Sequence, residues 1–428
     1  MYRFRVAVLL LCTCGWLPAF AQKDGVSARE KRIAQAVDEM RAKLVEQRRE
    51  FHMHPELSNR EERTALLVVE RLRALGFTDI KTGVARHGVV ALLQGGRPGP
   101  VIAVRADMDG LPVQDVNNTP YKSQNAGVKH ACGHDAHMTI QLGVAEILSR
   151  MRADIPGTIK FIFQPAEEGP PPGEDGGAAL MIKQGVLENP KPDAIFGLHV
   201  FAGIEAGTIA YRPGPTMASA DRMKIVVNGR QTHAAMPWRG VDPIVISSQI
   251  VLGLQTIISR QVDLSLEPAV LSIGAIKGGV RDNIIPDAVE LLGTVRTFDE
   301  AMRADIRERV RNTVEMIAKS AGATAQVHFD SAYPVTVNDV SLTERMVPTL
   351  QRVAGADKVF VGQKITGYED FSYYQQKIPG FFYFLGITPR GTDRKQSAPN
   401  HSPRFFVDES ALVLGVRSLA HLAIDYLD

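Results

Sequence analysis

Cysteine is nearly absent from this chain, with three in 428 residues, and two of them, Cys12 and Cys14, lie inside a leading apolar run. With that run set aside only Cys132 remains, so no internal disulfide can form. A lone thiol is either buried and inert or held by something such as a metal. Charge of one sign is missing too. The 49 Lys and Arg against 47 Asp and Glu leave a net +2, which offers nothing to nucleic acid or to an acidic membrane surface. Repeats and low-complexity tracts are absent, and no stretch after the leading run reads as a membrane span. A hydrophobic share of 45% and a charged share of 22% are those of a soluble globular protein.

The leading residues read as a secretory signal. Arg3 and Arg5 supply a positive start, Val6 to Leu17 a short apolar run, and Ala19-Phe20-Ala21 a small-x-small cleavage site. The expectation is removal of residues 1–21 and a periplasmic or secreted mature protein. Phe4 separates the arginines, which argues against the twin-arginine route.

Helical periodicity runs from about Ala28 to Phe51 and from Glu61 to Leu75. Beyond Gly76, short apolar runs bounded by glycine or proline alternate with helical stretches. Val101 to Arg105, Thr158 to Phe163 and Ala194 to Leu198 have the look of buried parallel strands. Helices are expected near His134 to Met151 and Gly177 to Gly185. This alternation predicts an α/β/α sandwich. Residues 217–333 differ. Strands at Met223 to Val227, Val270 to Ile276, Val289 to Thr297 and Thr324 to Phe329 are interleaved with helices at Pro243 to Ser259 and Glu300 to Lys319. That βαββαβ order predicts a ferredoxin-like lid or dimerisation domain. It is inserted in a catalytic domain made of residues 28–216 and 334–428, whose second part holds a strand at Phe381 to Leu385 and a closing helix from Glu409.

Ligands of open α/β sheets collect beyond the carboxyl ends of the strands. The predicted strands here run into Asp107 and Asp109, into Glu167 and Glu168, and into His199. Between them His130-Ala-Cys132-Gly-His134-Asp-Ala-His137 places a thiol and three imidazoles in one short stretch. Sulfur with imidazole suits zinc and its neighbours, where carboxylates and water alone would suit magnesium or calcium. Adjacent Glu167 and Glu168 on an extended segment face opposite ways. One can bind metal while the other takes the proton of an attacking water and returns it to a leaving nitrogen.

The runs CGHDAH, FQPAEEG, FGLHV, HAAMPWRGVDP, NIIPDAVELLGTVRTF, EDFSYY and NHSPRF, with FHMHPELS before them, closely resemble the two-metal amidohydrolase and exopeptidase family. That family includes aminoacylase, hippurate hydrolase, glutamate carboxypeptidase and plant auxin-conjugate (IAA-amino-acid) hydrolases. The resemblance is greatest to the hippurate and auxin-conjugate branch and covers the chain after the signal. It implies Cys132, His134, Glu168, His199 and His401 as metal ligands and Glu167 as general acid/base. It also implies His233 as a stabiliser of the developing oxyanion, and Asn283 and Arg296 as substrate contacts. An arginine fork suits a substrate carboxylate. His137 is expected to support the site or the fold, as are Asp107 and Asp109. Ala136, Trp238 and Phe201 depart from the family pattern at its glycine, histidine and tryptophan, and blur any transfer of substrate identity.

The expected activity is metal-dependent cleavage of N-acyl amino acids to a carboxylic acid and a free amino acid. Two divalent ions per subunit are implied, zinc or manganese, with cobalt or nickel as alternatives. A small-molecule substrate is expected, no nucleic-acid or membrane partner, and a homodimer through the inserted domain. The rivals are a metallo-carboxypeptidase or dipeptidase using the same centre, and an inactive binding protein of the same fold.

Overall fold

A computed structural model describes residues 28–393 and 395–428, with backbone alone at 331–332; the expected signal of residues 1–21 lies outside the described residues. The chain opens with helices α1 (Ala28–Glu39), α2 (Arg41–Met53) and α3 (Glu62–Ala74). The first expected helix is thus two, parted at Met40. Next come β1 (Ile80–Val84), β2 (Gly88–Gln94), β3 (Arg97–Asp107), α4 (His134–Arg150), β4 (Pro156–Gln164), α5 (Gly177–Lys183), β5 (Ala194–Glu205) and β6 (Ile209–Tyr211). Strand β7 (Gly214–Met217) leads into a second unit. It holds β8 (Ala220–Asn228), β9 (Thr232–His233), α6 (Pro243–Thr256), β10 (Ala269–Gly278), β11 (Ile284–Ile285), β12 (Ala288–Thr297), α7 (Glu300–Ser320) and β13 (Thr324–Tyr333). Strand β14 (Thr336–Asn338) leads out to α8 (Val340–Ala354), β15 (Val359–Val361), α9 (Phe371–Gln375), β16 (Gly380–Thr388) and α10 (Ala411–Leu427). Aspartates cap three of the helices: Asp242, Asp299 and Asp339 accept from the amides of Ile244, Met302 and Leu342.

Eight strands form one mixed sheet in the order β1-β2-β4-β3-β5-β16-β6-β15. Its centre, β4-β3-β5-β16, is parallel, whereas β1 and β2 add an antiparallel edge. Alternation along the central strands feeds two cores. Ile102, Val104, Phe161, Phe163, Phe381 and Tyr383 pack toward α1–α4, α8 and α10. Their neighbours Ala103, Ile162 and Phe382 pack toward α5 and α9. With both faces covered, β16 (GFFYFLGIT) is buried at every position.

The second unit is a four-stranded antiparallel sheet, order β10-β12-β8-β13, with α6 and α7 packed on one face. Strands β7 and β14 pair with each other, so the chain enters and leaves this unit side by side. The register matters for function. Val295 lies opposite Asp221, near the junction with the large sheet, and Ala288 lies opposite Asn228 at the other end. The segment Pro243–Gln261, α6 with the turn that continues it, reaches 19 residues at a mean hydropathy of 1.2. By length and composition that suffices to cross a membrane, which corrects the expectation that no stretch after the leading run would. Its apolar residues serve two sides: Ile246, Ile250 and Leu254 enter the core, while Val245 and Leu252 are exposed.

Candidate metal centre and active site

The carboxyl ends of the parallel strands and the start of α4 converge on one place. Gly133 precedes α4 at φ 100°, and a Cβ there would stand 2.2 Å from Val200 Cγ2. Only glycine lets Cys132 and His134 approach β5 so closely. His401 comes from the loop between β16 and α10; its amide donates to Ala131 O at 2.8 Å. Asn400 beside it donates to the carbonyls of Cys132 and Val200 at 3.0 and 3.2 Å and accepts from Ala202 N at 3.0 Å. One amide side chain thereby ties together three ligand-bearing segments.

Hydrogen bonds on one nitrogen of each buried histidine decide what the other can do. His199 Nδ1 donates to Val200 O at 2.7 Å, leaving Nε2 3.3 Å from Cys132 Sγ. His134 Nδ1 donates to Asp109 at 3.1 Å, and its buried Nε2 has no hydrogen-bond partner among the described residues. His401 Nε2 lies 3.3 Å from Cys132 Sγ and 3.2 Å from Glu168 Oε1. His137 is different: Nδ1 binds Asp107 at 2.6 Å and Nε2 accepts from Val200 N at 2.8 Å. Both its nitrogens are engaged, so it supports its neighbours and offers no donor. Two sets of three donor atoms, Cys132–His134–His199 and Cys132–Glu168–His401, each fall within 4.8 Å of one another.

This donor set fits divalent metal. Burial, then Glu168 and Glu167, push the Cys132 thiol well up. Burial would lower His134, but Asp107 and Asp109 prevail and raise it to about 10. Burial, then Glu369 and Glu168, hold Glu167 well above the usual carboxylate range. Crowding of this kind leaves His134 Nε2 and Glu168 Oε1 buried without a hydrogen-bond partner among the described residues, and a cation would satisfy both. The buried cation Arg105 is committed elsewhere, to Asp107, Glu369 and Asp370 at 2.6, 3.0 and 2.7 Å.

A cavity of about 370 Å³ opens on these groups. Phe201, Met217 and Ile365 form an apolar wall, and Arg296 stacks over the Tyr368 ring at 4.7 Å. Arg296 Nη1 is buried without a hydrogen-bond partner among the described residues. Of the nine residues named from sequence, six line this cavity, Cys132, Glu167, Glu168, His199, His401 and Arg296, and His134 lies beside Cys132 and His199 behind them. His233 and Asn283 do not line this cavity. Both are exposed at the opposite end of the second unit, where His233 pairs with Ile284 and Asn283 O accepts from Ala234 N at 3.1 Å. The ten residues of β12 lie between them and the site, on the order of 30 Å of extended chain. Sequence reasoning overlooked Asn400, Met217, Ile365 and Tyr368 as individuals. Asn400 lay within the quoted NHSPRF run; the others carry no sequence signal.

A buried carboxylate beside soft metal donors, at the mouth of a cavity with one unsatisfied guanidinium, is the equipment of a metal-dependent amide hydrolase. The chain belongs to peptidase family M20/M25/M40, whose model matches residues 103–425. It is 40% identical over 398 residues (92% of this chain, 98% of the relative) to thermostable carboxypeptidase 2 of Saccharolobus solfataricus. It is 39% identical over 391 residues (90% and 97%) to an N-acetylcysteine deacetylase of Bacillus subtilis. The crystal structure of Bacillus subtilis YXEP, described as a dinuclear metal-binding peptidase of the M20 family, superposes with a TM-score of 0.77 at 36% identity, covering 91% of this chain and 99% of that one.

Proposed function

We propose that the protein cleaves N-acyl amino acids, with acetyl, benzoyl or other aryl-acyl groups, to a carboxylic acid and a free amino acid. The observation that carries this reading is Arg296 Nη1, buried and unpartnered in the same cavity as Glu167. A buried guanidinium donor without an acceptor is costly, and a substrate carboxylate supplies that acceptor in the geometry guanidinium favours. The apolar wall of Phe201, Met217 and Ile365 then accommodates an acyl group or an apolar side chain. The deacetylase relative acts, by its name, on such a compound.

Cys132, His134, Glu168, His199 and His401 would hold two divalent ions, zinc or manganese as the family resemblance implies, with cobalt or nickel as alternatives. When bound, those ions supply Lewis acidity to the attacking water and to the carbonyl. Glu167 takes the water's proton and passes it to the leaving nitrogen. Arg296 orients the substrate by its carboxylate. Residues 217–333, ferredoxin-like in strand order, would serve as a lid and dimerisation domain, with His233 steadying the oxyanion and Asn283 meeting substrate. Their distance from the cavity of their own chain favours delivery by a second copy. Export by the signal of residues 1–21 would place the mature enzyme in the periplasm or outside the cell.

The carboxypeptidase relative keeps a peptide substrate in view. A dipeptide's free ammonium calls for an acidic partner, and the only carboxylates lining this cavity among the described residues are Glu167 and Glu168, both already assigned. The test is a hydrolysis screen of N-acetyl, N-benzoyl and indoleacetyl amino acids against dipeptides, with defined metals added. Faster turnover of dipeptides throughout would reverse the reading.

A further inference from the structure

Three consecutive main-chain amides of the turn after β4 end on two buried carboxylates. Ala166 N donates to Glu61 Oε1 at 2.8 Å, Glu167 N to Asp109 Oδ1 at 3.2 Å, and Glu168 N to Asp109 Oδ2 at 3.1 Å. Ala166 itself sits at φ 54°, in the left-handed region that an L residue occupies only under constraint. Such a turn persists where its surroundings over-determine it. Glu61 belongs to those surroundings yet does not line the cavity. It stands at the start of α3, in the segment that follows FHMHPELS, with 0% of its surface exposed. Ser58, the last residue of FHMHPELS, donates to Asp109 Oδ2 at 2.7 Å, so residues 58–61 serve both carboxylates of the clamp.

The cost of keeping an acid at this position argues for a task beyond packing. Glu61 Oε2 is buried with no hydrogen-bond partner among the described residues. Burial and then Asp109 push the acid up to about 8. An apolar side chain of similar volume would remove the unpartnered Oε2 but leave the Ala166 amide without its acceptor, and stranding one partner of a buried hydrogen bond destabilises.

We propose that Glu61 is a positioning residue for catalysis: by holding the Ala166 amide it fixes the turn that aims Glu167 at the substrate and Glu168 at the metal donors. This rests on Glu167 being the base. Glu61 acts as a hydrogen-bond acceptor and needs no charge to do so. An amide of equal length keeps the acceptor. Methionine fills the space without one, and aspartate withdraws the acceptor by one methylene.

The experiment compares Glu61→Met, Glu61→Gln and Glu61→Asp with wild type in the metal-loaded full chain, reading kcat, KM, bound metal and Tm on an N-acetyl amino acid. Glu61→Met, which strands the Ala166 amide, is expected to lower Tm modestly while kcat falls about 10- to 100-fold, the usual scale for groups that orient a centre from behind. KM should be unchanged. Glu61→Gln should restore kcat and Glu61→Asp should not. Wild-type kcat in Glu61→Met, or in Glu61→Asp where the methionine variant does not fold, overturns the proposal. So does failure of Glu61→Gln to restore kcat at wild-type Tm. Glu167→Gln run alongside separates the two claims. If that variant still turns over, the base assignment has failed; if it is inactive and Glu61→Met is not, only the role of Glu61 has.

Discussion

Glu168 Oε1 lies 3.2 Å from His401 Nε2, whereas Glu167, one residue earlier, turns Oε2 to within 3.8 Å of His134. The turn that carries them brings both near His134 Nε2, Glu168 at 4.0 Å, against the expectation that they face opposite ways. Glu168 also meets His401, so their amide variants should fail differently. Glu167→Gln keeps shape but cannot accept a proton, so metal content should persist while kcat falls roughly 100-fold or more. Glu168→Gln exchanges an anionic donor for a neutral one, so metal should be lost or loosely held, and added metal should restore part of the activity. Metal stoichiometry and turnover of both proteins decide it, and the opposite pattern would exchange their roles.

Metal uptake should release protons. The Cys132 thiol is pushed well up by burial and by Glu168 and Glu167, and His134 is raised to about 10 against the effect of burial by Asp107 and Asp109. Both groups therefore carry a proton in the metal-free protein at neutral pH, and both must give it up to become donors. The sign follows: affinity should fall as pH falls and rise as pH rises. Calorimetric titration of metal-free protein with zinc, in buffers of different ionisation enthalpy, measures the release. Cys132→Ser should release fewer protons and bind more weakly, since an alcohol does not ionise as a thiol does. Proton-neutral binding by the wild type would contradict this account of the centre.

Arg296 sets the third expectation. Amidating the substrate's carboxylate should sharply reduce kcat/KM, because losing a desolvated charged hydrogen bond costs roughly 2–5 kcal/mol. Arg296→Ala should cleave acid and amide forms about equally slowly, the preference having gone with the guanidinium. Equal rates on the two forms in the wild type would show that the carboxylate is not read.

Much of this was legible in the sequence for a physical reason. Strands buried on both faces, such as Phe381 to Leu385, appear as unbroken apolar runs, and the polar residues at their ends stand out against them. Strands β1 and β2 form an antiparallel edge whose contrast is weak, with β1 largely exposed and β2 nearly all buried, and they were not resolved individually. The clamp on Ala166, Glu167 and Glu168 works through main-chain amides, so no side-chain pattern announces it. Asn400 shows the same limit, since its role depends on carbonyls of Cys132 and Val200 that only the fold brings to it. The position of His233 was illegible in another way. A motif names a residue type and says nothing of which site that residue reaches.

That last point yields a test of assembly. His233 is exposed and separated from its own cavity by the length of β12, on the order of 30 Å. The same unit carries outward apolar residues on α6, Ile244, Val245 and Leu252 at 45%, 54% and 71% exposure, which a second copy would cover. If His233 serves the partner's site, a chain lacking the base and a chain lacking the histidine each contain what the other misses. Glu167→Gln and His233→Ala should each be nearly inactive alone. Unfolded and refolded together in equal amounts, they should regain about a quarter of wild-type turnover, because half the dimers are mixed and each mixed dimer has one complete site of two. Leu252→Asp should weaken the dimer and lower activity at dilute protein, with recovery on concentration. No regain in the refolded mixture, with both variants shown to be dimeric, would confine each site to its own chain.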